Sequence, residues 1–287
     1  MEENKTKDVK HIHWFPGHIA KAQRALKEKI NLVDVVIEVL DARLPISSAY
    51  GDLTPLIGDK PRIILLNKSD LADEGELKYW VNELKRQYNV PVLTTDVKNN
   101  INNVIPKLID LAEPKIQALM KKGLLRRPAR VVVIGMPNVG KSSIINKLTR
   151  SSKTKVGAKA GVTRQQQWVR INPKLELLDT PGIIPMRQDD QFKAKKLAFV
   201  NSVSENAYDE EHVCTELLKL LDKKYPSIVR AHYKLDETEP LTIESIAKSR
   251  NWITKGAALD IQRTSVFVLN DFRTGKIGRF ILDEQPV

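Results

Sequence analysis

The chain has 287 residues, 41% hydrophobic and 29% charged, with a formal net charge of +12, which suggests about two domains with real apolar cores. No apolar run approaches the ~18 residues of a membrane helix, and the N-terminus "MEENKTKDVKHIHWF" has no apolar stretch after its charged start, so no secretory signal is expected. A single cysteine, Cys214, excludes an internal disulfide, fits a reducing cytoplasmic compartment, and reads as a small buried hydrophobe.

The charge is unevenly spread. Residues 1–190 hold 32 Lys/Arg against 21 Asp/Glu, whereas residues 191–287 hold 15 against 14. Between Pro114 and Leu175 there are 15 cations and no carboxylate. One nucleotide cannot occupy so many, and the excess favours a polyanionic partner, most economically nucleic acid. A basic surface that binds nothing is the competing reading.

In chain order, residues 1–13 are polar and expected to be flexible. A basic helix is expected from about Ala20 to Lys29. "VDVVIEVLDAR" and "RIILLNK" read as buried parallel strands. "DEGELKYWVNELKRQY" reads as a helix capped by Asp73, with Glu76 three residues on and Leu77, Trp80, Val81, Leu84 and Tyr88 on one face. "VPVLTT" is a third strand, and Ile101 to Leu111 a further helix. The basic connector "KKGLLRRPAR" then leads into the strand "VVVIG" and a helix opening at Lys141. "QQWVRI" and "LELLDT" add two strands. Alternating strands and helices mean an α/β domain with a mostly parallel sheet. After about Asp190 the spacing turns helical: "DQFKAKKLAFVNSV", "DEEHVCTELLKLLDKKY", "LTIESIAKSRN" and a fourth helix ending near Gly275, with "IGRFIL" a candidate strand. Residues 14–190 are therefore expected to form the α/β domain and 191–287 a small helical one.

Three motifs carry the chemistry. Gly135 to Ser142, "GMPNVGKS", fits the G-x-x-x-x-G-K-[ST] phosphate loop, with a strand before it and a helix after. Its backbone N–H groups can curl around phosphates at a helix N-terminus. Asn138, Val139, Gly140, Lys141, Ser142 and Ser143 are the candidate contacts: Lys141 to the β- and γ-phosphates, the Ser142 hydroxyl to Mg²⁺. Forty-four residues after Gly135, "DTPG" ends an apolar strand. Asp179 is the second candidate for Mg²⁺, and the Gly182 N–H can meet the γ-phosphate. Thr163, in "VGAKAGVTRQQQW", lies between them and reads as a first switch, offering hydroxyl to Mg²⁺ and N–H to phosphate. On its own it could equally be an ordinary loop hydroxyl.

The third motif, "NKSD", ends the strand "RIILLN". The Asp70 carboxylate accepts hydrogen bonds only, and guanine offers N1–H and an N2 amine side by side where adenine offers no donor. Such a site rejects the wrong base by ~10⁴-fold or more. Asn67 would join base and phosphate loop, and the Lys68 stem would cover the ring. Thr95 and Asp96, in "TTDV", are the candidates for the loop whose backbone meets the guanine carbonyl. GTP is the expected nucleotide. "NKSD" precedes the phosphate loop by 68 residues, whereas an ordinary G domain has it downstream. Guanine motif, carbonyl loop, phosphate loop, first switch and second switch nonetheless occur in one consistent rotation, and a domain with adjacent termini tolerates such a permutation.

The chain resembles the circularly permuted GTPases, and within them the ribosome biogenesis GTPase A (YlqF) family. "WFPGHIAKAQR", "DARLPISS", "LLNKSDL", "GMPNVGKSSIIN", "AGVTRQQQW" and "LLDTPGI" carry the resemblance, which spans essentially the whole chain. It implies an α/β fold, a circularly permuted Ras-like P-loop GTPase domain followed by an all-helical one. It further implies GTP hydrolysis at a late step of large (50S) ribosomal subunit assembly, on a precursor particle, with 23S rRNA and ribosomal proteins as partners, no membrane, and a monomeric chain. Ile183 and Ile184 stand where Ras-like enzymes place a water-orienting glutamine, so intrinsic turnover should be near or below ~10⁻³ s⁻¹. His18 is the candidate to supply that function, a structural or RNA-contacting role being the alternative. By the same resemblance, Asn138 implies a K⁺ ion against the phosphates, with loop geometry alone as the alternative. A GTP-dependent RNA-binding module with incidental hydrolysis is the competing function.

Overall fold

Val35–Asp41 form β1, and all seven residues are buried. Strands covered on both faces read as largely apolar runs, and β1 is such a strand, interrupted only by the buried Glu38 before Asp41 ends it. The computed structural model describes residues 24, 27–96, 101, 103–151, 168–178, 182–183 and 191–285. After the short helix α1 (Thr54–Ile57) come β2 (Arg62–Asn67), α2 (Glu74–Tyr88), β3 (Val92–Thr94), α3 (Val104–Lys121), β4 (Ala129–Gly135) and α4 (Lys141–Ser151). The antiparallel pair β5 (Trp168–Asn172) and β6 (Leu175–Leu178) follows, then the two-residue strand β7 (Gly182–Ile183). The sheet order is β3-β2-β1-β4-β6-β5, with β7 also paired to β4.

This order positions the site. β1 pairs in parallel with β2, Asp41 opposite Asn67, and in parallel with β4, Glu38 opposite Ile134. The carboxyl ends of β2 and β4 therefore emerge at one edge of the sheet, separated only by Asp41 at the end of β1. Chain direction across the sheet reverses here, the place where open α/β sheets bind ligands. One apolar layer (Ile30, Val36, Leu56, Val132, Ile134, Leu178) and another (Leu40, Ile64, Leu66, Trp80, Leu84) make its cores. On α2, the Asp73 carboxylate accepts from the Glu76 N–H at 2.9 Å, the cap its sequence predicts, and Leu77, Trp80 and Leu84 are buried.

Three expectations change. The helix expected to stop near Leu111 runs to Lys121 through Pro114. An interior proline costs about 3 kcal/mol, but the buried face Leu108, Ala112, Ile116 continues across it. Ile116 burial contributes about 2 kcal/mol, and Lys115 reaches Asp34 at 2.8 Å. "PSIVRAHY", not recognised as helical, forms a helix of eight residues with Pro226 in its first turn and Val229 and Tyr233 buried. "IGRFIL" contains no strand. Of the basic helix expected over 20–29, residues 24 and 27–29 are described and helical, and the helix continues through residue 30.

The described chain divides into two units, 24–183 with 279–285, and 191–278. The expected helical region is therefore shorter at its end: residues 279–285 belong to the first unit, because Phe280, Ile281 and Leu282 are buried there. The second unit comprises α5 (Gln191–Phe199), α6 (Glu210–Lys224), α7 (Pro226–Tyr233), α8 (Ile243–Ser249) and α9 (Ile261–Arg273). Leu217, Leu221, Val268, Leu269 and Phe272 are in its core. Arg273 donates to the carbonyls of Ala198 and Phe199 and to the Tyr208 hydroxyl. Cys214 is buried, and burial pushes its thiol up to about 12, so it is the inert hydrophobe the sequence suggests.

Candidate nucleotide-binding site

β4 ends at Gly135, where a Cβ would sit 2.4 Å from the Val39 carbonyl oxygen, so only glycine lets the loop leave the sheet so close to β1. The loop passes through Asn138 in the left-handed region (φ 56°) and closes at Gly140 (φ 100°) into α4. Ser142 and Ser143 are exposed on the first turn of α4. There the unpaired N–H groups and helix dipole suit an anion. Lys141 bends back to donate to the Met136 carbonyl at 2.6 Å. Burial pulls its ammonium down to about 8, with no countercharge beside it among the described residues.

Asn67 joins the two motifs. Its Nδ2 donates to the Val139 carbonyl at 2.8 Å, and its Oδ1 accepts from the Thr95 hydroxyl at 3.1 Å. A Cβ on Gly140 would lie 2.1 Å from that same Nδ2. The guanine motif and the phosphate loop are thus in direct contact across 72 residues of chain. The Asp70 Oδ1 is buried and has no hydrogen-bond partner among the described residues. An orphaned carboxylate oxygen is costly unless a donor completes it, and the adjoining N1–H and N2 amine of guanine are such donors.

Thr95 departs from its expected place. Its N–H donates to the Leu66 carbonyl at 2.8 Å, extending the strand pairing, and its hydroxyl holds Asn67. It therefore has no N–H left for a base carbonyl. Asp96 follows, buried, its backbone carbonyl accepting from the Lys147 ammonium. Gly182 lies in β7 opposite Ile134, and Ile183 opposite Gly135, directly beside the phosphate loop. His18, Thr163 and Asp179 lie outside the described residues.

Sequence reasoning missed the support under Lys68. Lys68, itself left-handed (φ 60°), places its ammonium 2.8 Å from Asp41 Oδ2. Asp41 also accepts from the Arg43 backbone N–H at 3.1 Å and from its guanidinium at 2.9 and 2.8 Å. Burial opposes ionisation of Asp41, but Arg43 and Lys68 outweigh it and hold the carboxyl far below the usual carboxylate range. The signal was present in "DARLPISS": an acid and a base two apart at the end of a largely apolar, fully buried strand have only each other and their neighbours to neutralise them.

A parallel sheet presenting a phosphate loop and an Asn-Lys-x-Asp turn at one edge, with the turn first in the chain, defines a P-loop GTPase domain of circularly permuted order. A family described as "50S ribosome-binding GTPase" matches residues 130–244. Ribosome biogenesis GTPase A of Bacillus cereus is 35% identical over 276 residues, covering 95% of this chain and 93% of that protein. Its Thermotoga maritima counterpart is 34% identical, covering 93% and 92%. Two solved YlqF structures are also similar: a GDP-bound one (TM-score 0.63, 29% identity, covering 91% of this chain and 99% of that one) and a GNP-bound one from T. maritima (0.62, 30%, 92% and 98%). The chain belongs to the ribosome biogenesis GTPase A family, and it is a GTP hydrolase that binds guanine nucleotide.

Proposed function

We propose that this GTPase acts late in the assembly of the large (50S) ribosomal subunit, in the cytoplasm. It binds the precursor particle through 23S rRNA and ribosomal proteins and hydrolyses GTP when that particle stimulates it. The observation that carries the nucleotide part is the Asn67–Val139 hydrogen bond of 2.8 Å, which supports one nucleotide spanning both motifs. Residues 114–175 carry 15 cations and no carboxylate; Lys115, Arg126, Arg127 and Arg130 pair with acids outside this stretch, and the remaining excess supports the RNA part.

In this reading Asp70 accepts from the guanine edge and the Lys68 stem covers the ring. The N–H groups from Asn138 to Ser143 surround the phosphates. Lys141 leaves the Met136 carbonyl for the β- and γ-phosphates, and Gly182 approaches the γ-phosphate from β7. The Ser142 hydroxyl, exposed and without a protein partner among the described residues, suits a hard cation, so Ser142, Thr163 and Asp179 would hold Mg²⁺. Held there, Mg²⁺ would supply neutralisation of phosphate charge. Asn138, exposed at the loop crest, would hold K⁺, which would add positive charge against the phosphates. His18 orients the attacking water.

The test is GTP turnover with and without purified large subunits, in wild type and His18→Ala. Subunits should accelerate the wild type strongly; the variant should bind GTP normally and lose the acceleration. Stimulation retained in His18→Ala removes that residue from the reaction, and absence of stimulation in the wild type removes the ribosome-triggered reading. K⁺ should support faster turnover than Na⁺ at equal ionic strength, and equal rates would dismiss the K⁺ site.

A further inference from the structure

Residues 279–285, the end of the described chain, return to the guanine end of the first unit. The Phe280 N–H donates to the Leu71 carbonyl at 3.0 Å, and the Leu282 N–H to the Arg43 carbonyl at 2.9 Å. Ile281 is fully buried among Leu40, Ala42, Ile64, Leu66 and Ala72. The Asp283 carboxylate, 3% exposed, accepts from the backbone N–H groups of Ile46 and Ser47 at 2.8 Å each and from the Ser47 hydroxyl at 2.5 Å.

These contacts fall on both segments that place the base-recognition side chains. Leu71 closes the 3₁₀ turn Ser69–Leu71, which contains Asp70. The loop 43–48 carries Arg43, which holds Asp41 and through it the Lys68 ammonium. It also carries Ser48, whose hydroxyl accepts from the Asp41 N–H at 3.0 Å. The tail braces one side of the turn through Phe280 and the other through Asp283.

We infer that Asp283 is a positioning residue for guanine selectivity, acting on the 43–48 loop and, through Asp41 and Lys68, on the Asn67–Asp70 turn. Permutation places that turn early in the chain and its brace at the far end. A carboxylate that accepts, among the described residues, two backbone hydrogen bonds and one hydroxyl from the same loop fixes that loop more rigidly than a neutral acceptor does. Orientation of Asp70 toward the guanine N2 amine is what a loosened turn loses first, because hydrogen bonds weaken steeply with angle. The inference rests on the proposed guanine site.

The test compares binding of GDP and inosine diphosphate, which lacks only the N2 amine, in wild type, Asp283→Ala and Ser47→Ala. Asp283→Ala should narrow the GDP preference by about tenfold, the size of one charge-assisted hydrogen bond lost by misorientation. Inosine diphosphate, which keeps N1–H but lacks the amine, should lose less affinity than GDP. Ser47→Ala, which removes the hydroxyl donor and leaves both backbone donors in place, should narrow the preference less. It also decides the matter if Asp283→Ala does not fold. An unchanged GDP preference in the folded variants, even with a lower unfolding temperature, makes the tail merely structural and overturns the inference. A wild type that binds ADP as well as GDP overturns the guanine site itself, a separate outcome.

Discussion

Lys141 shows how a residue can be prepared by what it lacks. Desolvation pulls its ammonium down to about 8, and bound phosphates favour the charged form. Below pH 8 the free protein already carries the proton. Above it, binding must take one up, so GDP affinity should fall as pH rises, approaching about tenfold per unit beyond pH 8. A flat binding profile from pH 7 to 9 would mean Lys141 does not meet the phosphates. Asp70→Asn exchanges an acceptor for a donor, and xanthine carries a carbonyl where guanine carries its amine. The variant should therefore prefer xanthosine to guanosine diphosphate by competition binding, and retained GDP preference would place the base elsewhere. Gly140→Ala puts a methyl 2.1 Å from Asn67 Nδ2 at a φ that favours glycine. It should weaken GDP binding by more than tenfold and cost about 1–3 kcal/mol in denaturant unfolding.

Among the elements, α3 and the β1 end oppose local rules for different reasons. Pro114 interrupts a helix whose buried face continues past it, so Pro114→Ala should stabilise the chain by up to about 3 kcal/mol in urea unfolding. No change would mean that the helix has bent to accommodate the ring. At the base of β1, Asp34 is buried and takes Arg127 at 2.6 Å and Lys115 at 2.8 Å. Burial raises its pKa, but these partners and the Arg130 N–H lower it more, to about 2. Because this folded value lies below the ordinary 3.8, the stability it contributes is present above about pH 4 and lost as pH falls toward 2. Acid unfolding of Asp34→Asn should show a shallower pH dependence across that window, and an identical dependence would exclude the ion cluster as its source.

For the whole molecule, chain order becomes a mechanical matter. The second-switch segment 179–182 leads within about ten residues into α5 of the helical unit, and residues 274–278 lead from α9 back to the guanine brace. This connectivity predicts that loss of γ-phosphate is transmitted to the helical unit through the first of these links. Large subunits should bind the chain more tightly with a non-hydrolysable GTP analogue than with GDP. Equal affinities in a sedimentation assay would show the two units to be uncoupled. That affinity should also fall steeply between 50 and 200 mM salt if several rRNA phosphates are contacted; weak salt dependence would assign the cations another purpose.

The sequence by itself determined the chemistry. Phosphate loop, Asn-Lys-Ser-Asp turn and apolar strands are local patterns, because backbone conformation, helix N-termini and hydrogen-bonding character are properties of a few consecutive residues. The α2 cap and the inert cysteine were legible for the same reason. Tertiary structure alone decided which residues touch: that Asn67 reaches Val139, that Thr95 serves Asn67 and not the base, that Asp41 neutralises Lys68, and that Asp283 returns to residues 46 and 47. Those contacts span from 27 to 237 positions of chain, and no local pattern encodes a partner at such a distance. They exist because parallel pairing brings the carboxyl ends of β1, β2 and β4 to one edge.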